Sequence, residues 1–227
     1  MFTKADIKEV FNAAVPIMLG YVAIGLPCGI LSSSIGLSPW QALALSYLFY
    51  SGAGQFMIAN MWLAATPISA IIASVSMVNM RQMLYSASFA PWCRGEKKGR
   101  TFFFAATVTD ESFGVNMAKF MEGNWSVAKA GLLNITCCTS WAFSNFAGVL
   151  IGNAVGLPLA IASFAMTSIF ICLLFTQKMN KPNVIAAIGA VFGVIICKCL
   201  GLAGAAILIG ALIGIGVALI YQIVVSR

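Results

Sequence analysis

A chain of 227 residues that is 61% hydrophobic and 8% charged lies far outside the composition of a soluble domain, and its apolar runs recur along the whole length. These figures describe a polytopic membrane protein. The net charge of +7 would suggest nucleic acid on a soluble protein, but here Lys and Arg fall between apolar segments, where they orient loops and meet lipid headgroups; no nucleic-acid partner is expected.

The opening MFTKADIKEVFNAA mixes both charge signs and lacks a compact apolar core before a small-residue cleavage site, so a cleaved signal peptide is not expected. Apolar segments follow at 12–35, 40–65, 68–90, 101–121, 127–151, 157–175, 183–199 and 203–225. Each should be helical, because an open sheet cannot satisfy its backbone in lipid. The expected fold is all-α, a helical membrane protein of seven to eight apolar segments forming one integral membrane domain over 1–227.

Segment 40–65 contains SGAGQF (Ser51 to Phe56), an unusual filling for a membrane helix. Segment 68–90 carries Arg81 deep inside, with Ser74 and Ser88 seven residues to either side, Tyr85 one turn beyond, and Asn79, Gln82 and Ser86 on a neighbouring face. Segment 101–121 holds Asp110 and Glu111 mid-way; on a continuous helix Thr107, Asp110, Glu111 and Gly114 form one polar stripe. Lys119 and Lys198 sit near segment ends, where they can snorkel, and Phe102, Phe103 and Phe104 are expected to face lipid or pack. Trp40, Trp62, Trp92 and Trp125, also near segment ends, read as interfacial anchors. In the last segment Gly210 and Gly214 have the GxxxG spacing of close helix packing.

The loop CRGEKKGR, the N-terminus with Lys4 and Lys8, the 176–183 loop with Lys178 and Lys181, and Arg227 all carry the positive charge of cytoplasmic ends. Eight plain crossings cannot put them all on one side. The conflict disappears if 40–65 and 101–121 are broken or re-entrant helices, with SGAGQF at one of the breaks.

Seven cysteines (Cys28, Cys93, Cys137, Cys138, Cys172, Cys197, Cys199) lie almost all in apolar segments, as packing residues do, without zinc-site spacing. No metal or cofactor is expected. With no histidine in the chain, proton chemistry falls to carboxylates. Arg81 could be a structural clamp that pairs with Asp110 or Glu111 to neutralise both charges, but intramembrane charges are expensive and usually mark an ion or substrate path. An enzyme using Asp110 and Glu111, or Cys137 and Cys138 as nucleophiles, and a passive channel are the alternatives to a carrier. Adjacent helical carboxylates point about 100° apart and suit a catalytic dyad poorly.

The strings SGAGQF (51–56), VNMRQMLYSASFAP (78–91) and TDESF (109–113), in this order and spacing, closely resemble the AzlC-type large subunits of bacterial branched-chain amino acid exporters (AzlC/AzlD, BrnF/BrnE-like). Those proteins show a GA-x-QF element, a VN-x-R motif followed by LY and AP, and a TDE-x-F motif. LPCGILSSSIGLSPWQAL is similar to their first connection, and beyond the first two-thirds the likeness rests on hydropathy. Where the family commonly has histidine after the arginine, this chain has Gln82. The resemblance implies export of Leu, Ile, Val and Met across the bacterial cytoplasmic membrane, with a small AzlD-type membrane subunit as partner. An amino acid zwitterion needs a donor for its carboxylate and an acceptor for its ammonium. Arg81, or the backbone at a break formed by Ser51, Gly52, Gly54 and Gln55, could take the carboxylate, with Asn79 and Tyr85 nearby. Asp110 or Glu111 could take the ammonium or a coupling proton. Gly52 and Gly54 would serve either ligand access to the backbone or close helix packing.

Overall fold

The computed structural model describes residues 2–155, 164, 167, 168, 171, 180–201 and 206–225. Most of the expected segment 157–175, together with Cys172, Lys178 and Arg227, lies outside them. Among the described residues the secondary structure is helical, as expected: α1 (Lys4–Ser34), α2 (Pro39–Leu48), α3 (Gly52–Leu63), α4 (Ile68–Ser88), α5 (Lys98–Ala106), α6 (Asp110–Met121), α7 (Val127–Val155), α8 (Lys181–Cys199) and α9 (Ala206–Val225). Among these, α1, α7 and α8 are each long and apolar enough to cross a membrane.

The chain forms two compact units, residues 1–60 with 78–166 and residues 61–77 with 167–227. In the first, α1 runs along α7. A Thr3–Asp6 capping box starts α1, and Lys129 in the first turn of α7 pairs with Asp6 (2.7 Å) and Glu9 (2.9 Å), tying the two helix starts together. Further along, the backbones nearly touch: a Cβ on Gly29 would run into the Asn145 carbonyl, and one on Gly148 into that of Leu26. In the second unit α8 and α9 pack by the same means, with Gly193 against Gly210 and Gly189 against Gly214. The GxxxG pair thus has two glycines facing it on the preceding helix.

Both suspect segments are broken. Segment 40–65 divides into α2 and α3 around residues 49–51, and 101–121 divides into α5 and α6 around 107–109. The longest of these half-helices has 12 residues, roughly 18 Å at ~1.5 Å per residue, well short of the ~30 Å hydrocarbon core. Two expectations need correction. Only Ser51 of SGAGQF lies in the break, because helix resumes at Gly52. The stripe from Thr107 to Gly114 does not exist as a helical face, because Thr107 ends one half-helix and Asp110 begins the next; the hydroxyl of Thr107 turns back to the Phe103 carbonyl (2.8 Å).

Candidate functional site

The first break is closed by its own sequence. Ser51 acts as a helix cap: its Oγ accepts from the Gly54 amide (3.1 Å), and its carbonyl accepts from Gln55 N–H (2.9 Å). The same hydroxyl donates to Asn79 Oδ1 on α4 (2.6 Å). Gln55, buried, reaches back with Nε2 to the Phe49 carbonyl (2.8 Å), while its Oε1 accepts from the Trp141 indole (3.2 Å) and Ser46 (3.4 Å). The carbonyl stranded where α2 stops therefore has a donor. The space beside the two glycines is filled by the protein itself. A Cβ on Gly54 would lie 2.7 Å from the Phe49 ring and 2.8 Å from Ser51 Oγ, and one on Gly52 3.2 Å from the Trp141 ring. Both glycines let their neighbours pack close.

The second break uses the same parts. Asn134 Nδ2 donates to the Phe104 carbonyl (3.4 Å) and Thr107 Oγ1 (3.2 Å), and its Oδ1 accepts from Asn116 (2.9 Å). Asn116 in turn accepts the Trp125 indole N–H (2.9 Å). Trp125 is thus buried in a polar network and is no interfacial anchor, whereas Trp40 and Trp62 are exposed as anchors would be. Thr109 caps α6 through a capping box with Ser112. At both breaks, a side-chain amide serves the orphaned carbonyl and an indole holds the amides in place.

The cap of α6 puts Asp110 and Glu111 in its first turn, where carboxylates suit the helix dipole, and they point to different neighbours. Asp110 Oδ2 pairs with Arg81 Nη2 of α4 at 2.8 Å, the two side chains 19% and 29% exposed. Glu111 Oε2 instead accepts from the Tyr21 hydroxyl of α1 (2.8 Å), which also contacts Thr109 Oγ1 (2.7 Å). Tyr21 is buried and sits edge-on to Trp141 (5.5 Å) and Tyr50 (6.2 Å), so the two breaks meet across this aromatic group. Tyr85, one turn past Arg81, stacks on Phe113 of α6 (4.6 Å). Three buried polar atoms in this region have no hydrogen-bond partner: Arg81 Nε, Asp110 Oδ1 and the Tyr50 hydroxyl.

The expected residues Ser51 and Asn79 are thus bonded to each other, Arg81 meets Asp110, Tyr85 lines α6, and Gln55 is committed to the scaffold of the break. Tyr21, Tyr50, Trp141, Asn116 and Asn134 were not singled out in the sequence. The signal for the two asparagines was present, since amides inside apolar helices need partners. The aromatic residues gave none, because Tyr and Trp in an apolar run look the same whether they pack or bond. Cys28, Cys137 and Cys138 are buried free thiols.

Two interrupted helices whose breaks meet at Tyr21, a half-buried ion pair on the second of them, and the long apolar helices α1 and α7 in the same unit define a multi-pass helical membrane protein. The chain belongs to the AzlC family, described as AzlC protein, which matches residues 16–155, the stretch containing both breaks and the ion pair. It is 27% identical to inner membrane protein YgaZ of Escherichia coli strain K12, over 87% of this chain and 89% of that one. It is likewise 27% identical to branched-chain amino acid transport protein AzlC of Bacillus subtilis strain 168, over 79% of this chain and 70% of the relative. An uncharacterized membrane protein of Helicobacter pylori strain J99 is 31% identical over 89% and 88%. No solved structure matches.

Proposed function

We propose that the chain is the large subunit of a two-component secondary transporter that exports branched-chain amino acids from the bacterial cytoplasm, coupled to protons. The observation that carries this reading is the Arg81–Asp110 pair with one unused valence on each partner, Arg81 Nε and Asp110 Oδ1. A zwitterion fits such a pair, its carboxylate on the guanidinium and its ammonium on the free carboxylate oxygen. The half-helix α3 begins beside α4 at the Ser51–Asn79 bond, so the positive end of its dipole adds to the carboxylate side. The stacked rings of Tyr85 and Phe113 offer an apolar wall for a branched side chain. The curated relative from Bacillus subtilis is named for branched-chain amino acid transport, in keeping with this chemistry. Asp110 facing α4 and Glu111 facing α1 do not converge on one reacting centre, which speaks against an acid–base enzyme.

The single domain over 1–227 would then cross the bilayer six times, with α2–α3 and α5–α6 each returning to the side they enter. Single-cysteine labelling in a cysteine-free background is expected to find positions 2, 96, 180 and 227 on the cytoplasmic face. Positions 2 and 96 on opposite faces would restore plain crossings through 40–65. The function itself is tested by export of labelled leucine from vesicles, with and without a pH gradient and with and without the small AzlD-type subunit. Saturable, gradient-driven export that needs both chains is the expected result; full activity of the large subunit alone would remove the two-component arrangement, and unsaturable flux indifferent to the gradient would mean a channel.

A further inference from the structure

All six carboxylates of the chain, Asp6, Glu9, Glu96, Asp110, Glu111 and Glu122, are among the described residues, and five of them are in ion pairs. Among the described residues, Glu111 alone has no cation within ion-pair distance and accepts a hydrogen bond from a tyrosine hydroxyl instead. Resting on the transporter reading above, we infer that Glu111, and not Asp110, takes up and releases the coupling proton, with Tyr21 as its positioning residue. The two acids are adjacent in sequence and differ in their partners. Protonating Asp110 would leave the Arg81 guanidinium without its counter-charge in a poorly solvated site, a costly state. Protonating Glu111 strands nothing. A tyrosine hydroxyl can donate to a carboxylate and accept from a carboxylic acid, so Glu111 keeps its 2.8 Å bond to Tyr21 in both forms. Glu111 is also exposed on its other side, as a group exchanging protons must be.

The titratable groups facing Glu111 are Tyr21 of α1, Tyr50 between α2 and α3, Tyr85 of α4 and Cys137 of α7, with Asp110 beside it already matched by Arg81. None of the four carries positive charge, so a proton taken up by Glu111 competes with no protein cation there. The step is simple in its balance: a carboxylate oxygen gains one proton from one face of the membrane and loses it to the other, with no other bond made or broken.

Tyr21 also connects this event to the break. Its hydroxyl lies 2.7 Å from Thr109 Oγ1, which lies 3.2 Å from Ser112 Oγ, the two side chains that cap α6. When Glu111 is charged, Tyr21 donates to it and accepts from Thr109. When Glu111 is protonated, donation reverses: Glu111 to Tyr21, Tyr21 to Thr109, Thr109 to Ser112. The charge state of one carboxyl group thereby sets the polarity of the cap that starts the half-helix bearing the substrate's ammonium partner, Asp110.

The test uses the full-length chain in lipid vesicles and two independent readouts. In infrared difference spectra on acidification, one component of the protonated-carboxyl carbonyl stretch is expected in the wild type and in Asp110→Asn and missing in Glu111→Gln, while the bands of the exposed carboxyl groups are common to all three. In leucine flux assays, the ratio of gradient-driven to gradient-free flux should fall to one in Glu111→Gln, while Asp110→Asn should lose both fluxes. Tyr21→Phe should keep gradient-driven flux but shift its pH profile, with KM little changed; a merely structural role would lower flux equally at every pH. A Glu111→Gln protein that keeps that infrared component or the gradient response overturns the inference. If the wild type moves no branched-chain amino acid, the transporter reading falls, and the infrared titration still decides which carboxyl group carries the proton.

Discussion

Gly54→Val is expected to give little or no folded protein in the membrane, although it changes no charge and removes no polar group. Valine's Cβ would lie within 2.8 Å of both the Phe49 ring and Ser51 Oγ, and its two methyl groups would need space as well. The Phe49 ring must swing aside, and Ser51 cannot retreat without loss, because it caps α3 and holds Asn79. Overpacking of this kind costs about 1–3 kcal/mol and the loss of a serine cap about 1 more, enough together to unfold a marginal break. Gly114 is the control, because a Cβ there meets nothing within 4 Å in the body of α6. Gly114→Ala should be neutral or stabilising by up to roughly 1 kcal/mol. Yield of monodisperse protein in detergent and the midpoint of thermal unfolding check both.

Arg81→Ala carries the second large effect. It leaves the Asp110 carboxylate in the first turn of α6 without its cation, with Oδ1 already lacking a hydrogen-bond partner. Breaking a buried pair from one side costs 3–5 kcal/mol; with these side chains 19% and 29% exposed, about 3 kcal/mol is the expected loss, together with all transport. Arg81→Ala combined with Asp110→Ala should recover most of the stability and none of the transport. That split separates a binding site from a structural clamp. Arg81→Lys keeps the charge but not the planar fork, so it should fold and bind substrate weakly.

Charge placement is the most informative feature of this sequence. Positive loops on segments of the wrong parity pointed to two interrupted helices, and both interruptions are there. Arg81 and Asp110, isolated ionisable groups in apolar runs, meet as such groups must. What stayed hidden was local. Helical periodicity assumes an unbroken helix, so the Thr107–Gly114 stripe was drawn through a point where Thr109 begins a new one. Glycine in SGAGQF signals close approach without saying to what, and here Phe49 and Trp141 are the neighbours. Tyr21 is 88 residues from Thr109 in sequence, and no local pattern announces so distant a bond.

Binding of leucine to the purified protein tests the central claim most directly, because the Arg81–Asp110 pair should demand both charges of a zwitterion. Leucine is expected to raise the unfolding midpoint of the wild type, while 4-methylpentanoate, lacking the ammonium, and isopentylamine, lacking the carboxylate, leave it where it was. The stability-restored Arg81→Ala, Asp110→Ala protein should respond to none of the three. Equal stabilisation of that double variant by leucine would contradict the account and place recognition elsewhere in the chain.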